Sequence, residues 1–485
     1  MSEKLIYKDE ILNQLAEAGT NIAQFVSYGP DMVQRFARIR EYEANKQFDT
    51  IKEAVERLLL ESNYQSVNIR TYRPDSSQSQ PFVYGMKDAD LVVKQFIKLA
   101  GEGLHTIIHE TVDIDDGGVS GVSVNGILEF SPGNTVRFVE SGKEPVAVFP
   151  KAFGIKLIKL VYGFEPDLPY PETQRVEFSI HPDEIGLQAT NTIIWEIHET
   201  TSAEITPHLI WPTAFSKLIG DKAYGLIMAH LHGWCNVPFT RVFPRLGKIV
   251  EFSFGANTSS DEVWVRTCPK SQVPGKYTTT RGWQDPFKLM ETDDPTGDIL
   301  ASCLVQSEVP AMYSGATISS KEGPITVGVV GFGDGYMQGT DKPVTLPDDI
   351  YNDVSQVYDN LTEWLGPVRF EWAHDGYQVW VLQLHTDEPI SSGRVIVPGT
   401  CQRHCNYAPA MGLEYLRFLT KNIEKGTGIR VHGNVGMTSH ICDVLRKAKV
   451  PSELTNETWL MDDLDHTTKL SSNETAELLS RKHLG

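Results

Sequence analysis

The sequence of 485 residues has no apolar run approaching the roughly 18 residues of a membrane span, and its start, MSEKLIYKDEILNQL, is charged rather than signal-like. The expectation is a soluble, cytoplasmic protein. Cysteine is scarce: six (Cys235, Cys268, Cys303, Cys401, Cys405 and Cys442) are too few for a disulfide framework. The run CQRHC at Cys401 to Cys405 lacks the second ligand pair of a zinc site. Basic charge is short as well, with 44 Lys and Arg against 63 Asp and Glu, a formal net charge of −19 and no Lys/Arg-rich block. Duplex nucleic acid held by bulk electrostatics is therefore not an expected partner. Low-complexity tracts are missing too, and with 40% hydrophobic residues every large stretch can bury a core. At roughly 100 to 200 residues per domain, the length asks for about two to four domains.

Self-comparison reveals ordered internal matches. VNIRTYRPD resembles VWVRTCPKS, with Arg70 and Arg266 offset by 266 − 70 = 196. GGVSGVSVNG resembles AMYSGATISS, with Ser120 and Ser314 offset by 314 − 120 = 194. RVEFSIHPDEIG resembles RFEWAHDG, with Glu177 and Glu371 also offset by 194, since 371 − 177 = 194. A weaker fourth match, NTIIWEIHET with QVWVLQLHT, sets Glu196 opposite Gln383. Matches in one order at a nearly constant offset indicate a duplication. The expected organisation is two related domains, residues 1–205 and 206–388, and a third segment, 389–485, ending in a capped helix at 471–485.

Each repeat reads as α+β. Alternating runs such as HTIIHETVDI and YQVWVLQLHT predict strands with one buried face, and IKEAVERLLLES, with Ile51, Val55, Leu58 and Leu59 on one side, predicts an amphipathic helix. The run DIDDGGVSGVSVNG, with Asp113, Asp115 and Asp116, reads as a glycine-rich hairpin rather than a calcium loop, because the regular acidic spacing and terminal glutamate are missing. GVVGFGDGY reads as a loop in which Asp334 is a candidate to face a ligand.

Several residues of the second repeat suit phosphate and metal. Lys222, in IGDKAYG, stands before an apolar helix where an ammonium can reach a phosphate. Arg266 lies in an alternating strand that aims its guanidinium to one face. Glu371 and Gln383 fall in consecutive strand-like runs around the turn HDG, which brings two oxygen ligands together as Mg²⁺ requires. Each feature alone has a plainer structural reading, and the order of all of them is the specific signal.

That order, a lysine in a turn, VRT, VQSEVPAMYSGA and FEW…VLQ, resembles the nucleotide-binding ATP-grasp domain of the phosphoenolpyruvate synthase and pyruvate phosphate dikinase family. The resemblance implies that Lys222, Arg266 and Gln306 contact ATP, with His385 standing where the family has an arginine, and that Glu371 and Gln383 hold Mg²⁺. In the first repeat, Asn21 reads as the counterpart of Lys222. That half keeps Arg70, Glu177 and Glu196 and becomes a candidate acceptor site. Further on, HGNVGMTSHICDVLRKAKVP puts His440 at a helix start, where free amides stabilise an anion, with Thr438 before it and Arg446 after. This resembles the family's phosphohistidine domain and implies a relay through His440. Asp443 departs from the small residues the family has after its histidine.

The fold class expected is therefore α+β: duplicated ATP-grasp-like domains followed by a small α/β phosphohistidine-like segment. The leading functional expectation is a dikinase-like phosphotransferase passing a phosphoryl group from Mg·ATP through His440 to an unknown acceptor. Pyruvate is not the expected acceptor, because 34 residues after Pro451 cannot form the roughly 250-residue barrel that handles it. Two alternatives stay open: an ATP-grasp ligase activating a carboxylate as acyl phosphate, and a nucleotide-sensing scaffold. A homodimer is one assembly compatible with the sequence.

Overall fold

The computed structural model describes residues 5–455 apart from 77, 79, 113–115, 134–145, 201–210, 246–247, 272–275, 278, 334–342, 387–393 and 434. Asp113, Asp115, Asp334 and the helix expected at 471–485 lie outside the described residues. Among those described, no helix is long and apolar enough to cross a membrane. The chain divides into two compact units, one of residues 1–221, 241–253 and 294–303, the other of residues 222–240, 254–293 and 304–485. The architecture is α+β with several antiparallel sheets.

The first sheet takes β1 (Phe25–Tyr28), β2 (Gln34–Arg38), β3 (Val67–Tyr72), β4 (Phe82–Met86) and β5 (His105–Glu110) in the order β2–β1–β5–β3–β4. Helices Ile51–Glu61 and Ala89–Gly101 share its core, where Val55, Leu58, Phe96 and Leu99 cluster with Val26, Ile69 and Ile108. The first of these helices forms where the sequence asks for it. Its apolar residues recur every three or four positions, and the Thr50 side chain caps it by accepting from the Glu53 amide.

The second sheet takes β6 (Val119–Val124), β7 (Ile127–Pro132), β8 (Ala147–Pro150), β9 (Gln174–Ile185) and β10 (Thr190–Glu199) in the order β10–β9–β6–β7–β8, with helix Lys151–Tyr162 leading from β8 toward β9. Asn125 and Gly126 make the expected tight turn of the β6–β7 hairpin, with φ of 50° and 74°.

The same strand orders recur further along the chain. Strands β11 (Thr240–Pro244), β12 (Phe252–Phe254), β13 (Val263–Pro269), β14 (Thr280–Arg281) and β15 (Leu300–Ser307) are ordered β12–β11–β15–β13–β14, the first sheet's order with every number raised by ten. Strands β16 (Tyr313–Ser320), β17 (Gly323–Val330), β18 (Val368–His374) and β19 (Val379–Thr386) follow in the order β17–β16–β18–β19, with helix Asp348–Leu365 before β18.

Even the register repeats. Ser120 faces Ser179 and Val122 faces Glu177 across β6 and β9. Across β16 and β18, Ser314 faces Ala373 and Ala316 faces Glu371. The next pairing bulges at the same place in both sheets: Trp195 is skipped before Glu196, and Leu382 is skipped before Gln383. Glycine is needed at this crossing, because a Cβ on Gly121 would lie 2.1 Å from the Glu129 carbonyl oxygen and one on Gly315 would lie 2.0 Å from that of Val327.

A fifth sheet takes β20 (Val395–Val397), β21 (Arg403–Tyr407), β22 (Thr427–His432) and β23 (Ser452–Thr455) in the order β20–β23–β22–β21, with β21, β22 and β23 parallel. Leu416 and Leu419 of helix Leu413–Asn422 and Ile441 and Leu445 of helix His440–Ala448 share its core with Tyr407, Ile429 and Val431.

Candidate functional site

Within the second unit, residues of β13, β15, β16, β18 and β19 line a cavity. Arg266, Gln306 and Glu371, three of the residues singled out from the sequence, line it together. Arg266 and Gln306 are almost fully buried, and their side chains hydrogen-bond each other. The Arg266 guanidinium also donates to the Leu382 carbonyl at 2.6 Å, and the Gln306 amide donates to the Thr240 hydroxyl at 3.1 Å. The Glu371 side chain makes no hydrogen bond or ion pair among the described residues. Its strand partner Gln383 lies directly across the register. The side chains of Gln383 and His385 meet at 2.7 Å, with the amide nitrogen toward the imidazole, which leaves the Gln383 amide oxygen as an available acceptor.

The wall also holds Trp264 and Phe332, with ring centroids 6.1 Å apart. Sequence reasoning passed over both. Trp264 sits two positions before Arg266 and therefore on the same strand face, so the strand period could have found it. Phe332 comes from the loop after β17 and carries no comparable signal.

Lys222 is the second residue of helix Asp221–His232, and its ammonium lies 3.4 Å from the Thr267 carbonyl oxygen, next along β13 from Arg266. Its counterpart in the first unit is not Asn21. Asn21 is buried and binds the carbonyls of Ile185 and Thr192 at 2.9 Å each, a fastening between strands. The matching position is Lys8, the first residue of helix Lys8–Glu17, which leads into β1 as Asp221–His232 leads into β11. Lys8 precedes Gly19 by 11 residues (19 − 8), and Lys222 precedes Gly233 by 11 (233 − 222). Both glycines end their helices with left-handed φ, 80° and 81°.

The first unit thus brings Lys8, Arg70, Glu177 and Glu196 to one region. Lys8 Nζ and Arg70 Nη2 both reach Glu196 Oε1, at 2.5 and 3.2 Å, and His198 Nε2 lies 3.7 Å from Oε2. Arg175 pairs with Glu177 at 2.5 Å. Burial by itself would raise the Glu196 carboxyl, but His198, Arg70 and Lys8 outweigh it and hold the group well below the usual carboxylate range. His109, on β5, is pushed down to about 4, chiefly by burial, so it is neutral at pH 7. Nearby, Ser179, His181 and Asp116 form a hydrogen-bonded chain of 3.0 and 2.8 Å. The arrangement has the order of a nucleophile triad, but all three are at most 3% exposed and the Trp195 indole donates to the serine, so substrate has no access to it.

His440 is the first residue of helix His440–Ala448, as its motif predicts, and Ser439 is the N-cap. Its surroundings are those of a buried ion cluster. Asp443 lies 3.7 Å from His440 Nδ1, pairs with Arg369 and accepts from Arg446 at 2.7 Å. Arg369 also donates to the Thr438 carbonyl and Arg446 to that of Met437, at 2.7 and 2.8 Å. Burial alone would raise the Asp443 carboxyl, yet Arg369, His440 and Arg446 hold it well below its ordinary range. Both arginines beside the ring are thus committed to Asp443.

No protein-family model and no curated protein matches the sequence. Solved structures with partial likeness are ATP-grasp enzymes, ligases among them. The L-amino acid ligase of Bacillus licheniformis is 12% identical with a TM-score of 0.23, covering 36% of this chain and 41% of its own. The D-alanine-D-alanine ligase of Helicobacter pylori is 8% identical with a TM-score of 0.23, covering 33% and 50%. The RimK-domain ATP-grasp protein of Sphaerobacter thermophilus is 14% identical with a TM-score of 0.21, covering 35% and 58%. The chain spans about half the length of these proteins, and TM-scores this low fall short of a shared fold.

Proposed function

We propose that the chain is an ATP-dependent enzyme of ATP-grasp type, built on a duplicated domain, whose second unit binds Mg·ATP and transfers the terminal phosphoryl group to a carboxylate, as a ligase does. The observation that carries the reading is the cavity in which a buried arginine faces a carboxylate with no partner among the described residues. A phosphate ester with a hard cation suits the pair, its oxygens toward the guanidinium and its cation on the carboxylate. Arg266 holds phosphate oxygens and Lys222 adds a second positive charge. Glu371 and the amide oxygen of Gln383 are the protein's ligands to Mg²⁺. No group of three or more His, Cys, Asp or Glu side chains suited to a metal occurs among the described residues. One carboxylate and one amide oxygen fit a cation that arrives with the nucleotide, since Mg²⁺ takes one or two protein carboxylates and completes its shell with phosphate and water. When bound, it neutralises charge on the transferring phosphoryl group. Trp264 and Phe332 offer apolar faces on which the nucleotide base stacks.

Carboxylate activation is favoured over the histidine relay because the arginines beside His440, Arg369 and Arg446, are already committed to Asp443. A ligase releases ADP and leaves an acyl phosphate that hydroxylamine traps as a hydroxamate, whereas the relay leaves acid-labile phosphohistidine and releases AMP. Incubation with Mg·ATP, a panel of carboxylic acids and hydroxylamine should give ADP and hydroxamate, unchanged in His440→Ala. AMP with a labelled chain, lost in His440→Ala, would reinstate the relay.

A further inference from the structure

We propose that the first unit carries a second polyphosphate site, built from Lys8, Arg70, Glu177 and Glu196, which takes a nucleoside triphosphate with its divalent cation. This goes beyond the activity proposed for the second unit, and four observations support it.

The scaffold is the same. Helix Lys8–Glu17 stands before β1 as the lysine-bearing helix of the second unit stands before β11. Arg70 lies on β3 of the first sheet, as Arg266 lies on β13 of the third, and β3 and β13 hold the same place in their sheets. Glu177 and Glu196 face each other across the bulge that Glu371 and Gln383 share.

The geometry converges. An ammonium and a guanidinium from elements far apart in sequence meet on one carboxylate oxygen. Such a point supplies what a metal-bound polyphosphate needs: cations for the phosphate oxygens and carboxylates for the metal.

The charges also exchange without loss. Lys8 and Arg70 can turn from Glu196 to phosphate while the incoming cation takes their place on that carboxylate and joins Arg175 on Glu177, so no buried charge is stranded. Two carboxylates here, against one and an amide in the second unit, favour the cation further.

Finally, water reaches the cluster. The Lys8 and Arg70 side chains keep 23% and 13% of their surface exposed, so the ion pairs are not sealed in the core.

The test is the number of nucleotides bound per full-length chain, measured by calorimetry and equilibrium dialysis with Mg²⁺ and the non-hydrolysable analogue AMP-PNP. Wild type should bind two. Lys222→Ala with Arg266→Ala should leave one, and Lys8→Met with Arg70→Gln should leave the other. Lys8→Met alone, at a partly exposed helix start, should weaken the first-unit site at least tenfold and serves where the paired change does not fold. A single nucleotide per chain, lost in the second-unit variant and unaffected by Lys8→Met or by the paired change, would overturn this proposal while the proposed function stands. A single nucleotide lost with Arg70→Gln and indifferent to Lys222 and Arg266 would support this site and overturn the second-unit assignment. No binding by wild type overturns both.

Discussion

The two units place comparable groups on comparable strands yet hold them differently. In the first, Lys8 and Arg70 rest on Glu196 and Arg175 rests on Glu177. In the second, Lys222 rests on a backbone carbonyl, Arg266 on Gln306 and the Leu382 carbonyl, and Glu371 is left facing the cavity. The difference traces to one atom at the bulge. A carboxylate at Glu196 draws both cations onto itself, whereas the amide of Gln383 has no net charge with which to draw its neighbours. Sheets that match to the level of register can therefore differ in how their charged side chains rest.

The largest expected effect tests whether the shared scaffold is equally rigid in both halves. Gly121→Ala and Gly315→Ala each force a Cβ against a backbone carbonyl, and each should cost about 3 kcal/mol by overpacking, read as a lower denaturation midpoint. If one is tolerated and the other is not, the two crossings are not equivalent.

The next effect separates a paired carboxylate from an open one. Glu196→Gln removes the counter-charge of Lys8 and Arg70 and should destabilise the chain by about 2 kcal/mol, less than a sealed ion pair would cost because water reaches both cations. Glu371→Gln should leave stability within about 0.5 kcal/mol and abolish metal-dependent turnover. Equal melting losses from the two changes would make Glu371 structural.

The smallest effect is the pH dependence that His109 and Glu110 add in the first unit. Folding depresses His109 from 6.5 to about 4, so its contribution is complete above pH 6.5 and is lost as pH falls toward 4. Between pH 7 and 5.5 this amounts to about 1 kcal/mol. Glu110, raised to about 6 chiefly by burial, works in the opposite sense, favouring the fold as pH falls through 6. His109→Gln should remove about 1 kcal/mol of the stability lost between pH 7 and 5.5 and so flatten the profile relative to wild type; an unchanged profile would mean that His109 is not buried neutral.

The sequence was most legible where function and register coincide. The 194-residue offset of Ser120 with Ser314 and of Glu177 with Glu371 is the spacing of paired residues in two matching sheets, and strand partners cannot slip by one without reversing faces. Lys8 was missed because its helix lies outside every matched patch, and only the order of helix and strand identifies it. The interval to a helix-ending glycine was the available signal. The buried pairing of Arg369 with Asp443 was hidden for a different reason, since the two come from segments that share no pattern.

By itself the sequence determined the α+β class, the candidate hairpin of Glu371 with Gln383 and the helix that begins at His440, because strand alternation, turn residues and helix starts are local and leave local marks. Tertiary structure alone decided which charges meet. It gave Asp443 rather than phosphate to the cations around His440, set Lys8 and Arg70 on Glu196, and left Glu371 open to the cavity. Those outcomes depend on which side chains from distant segments share a low-dielectric space, where one carboxylate determines where the neighbouring cations rest.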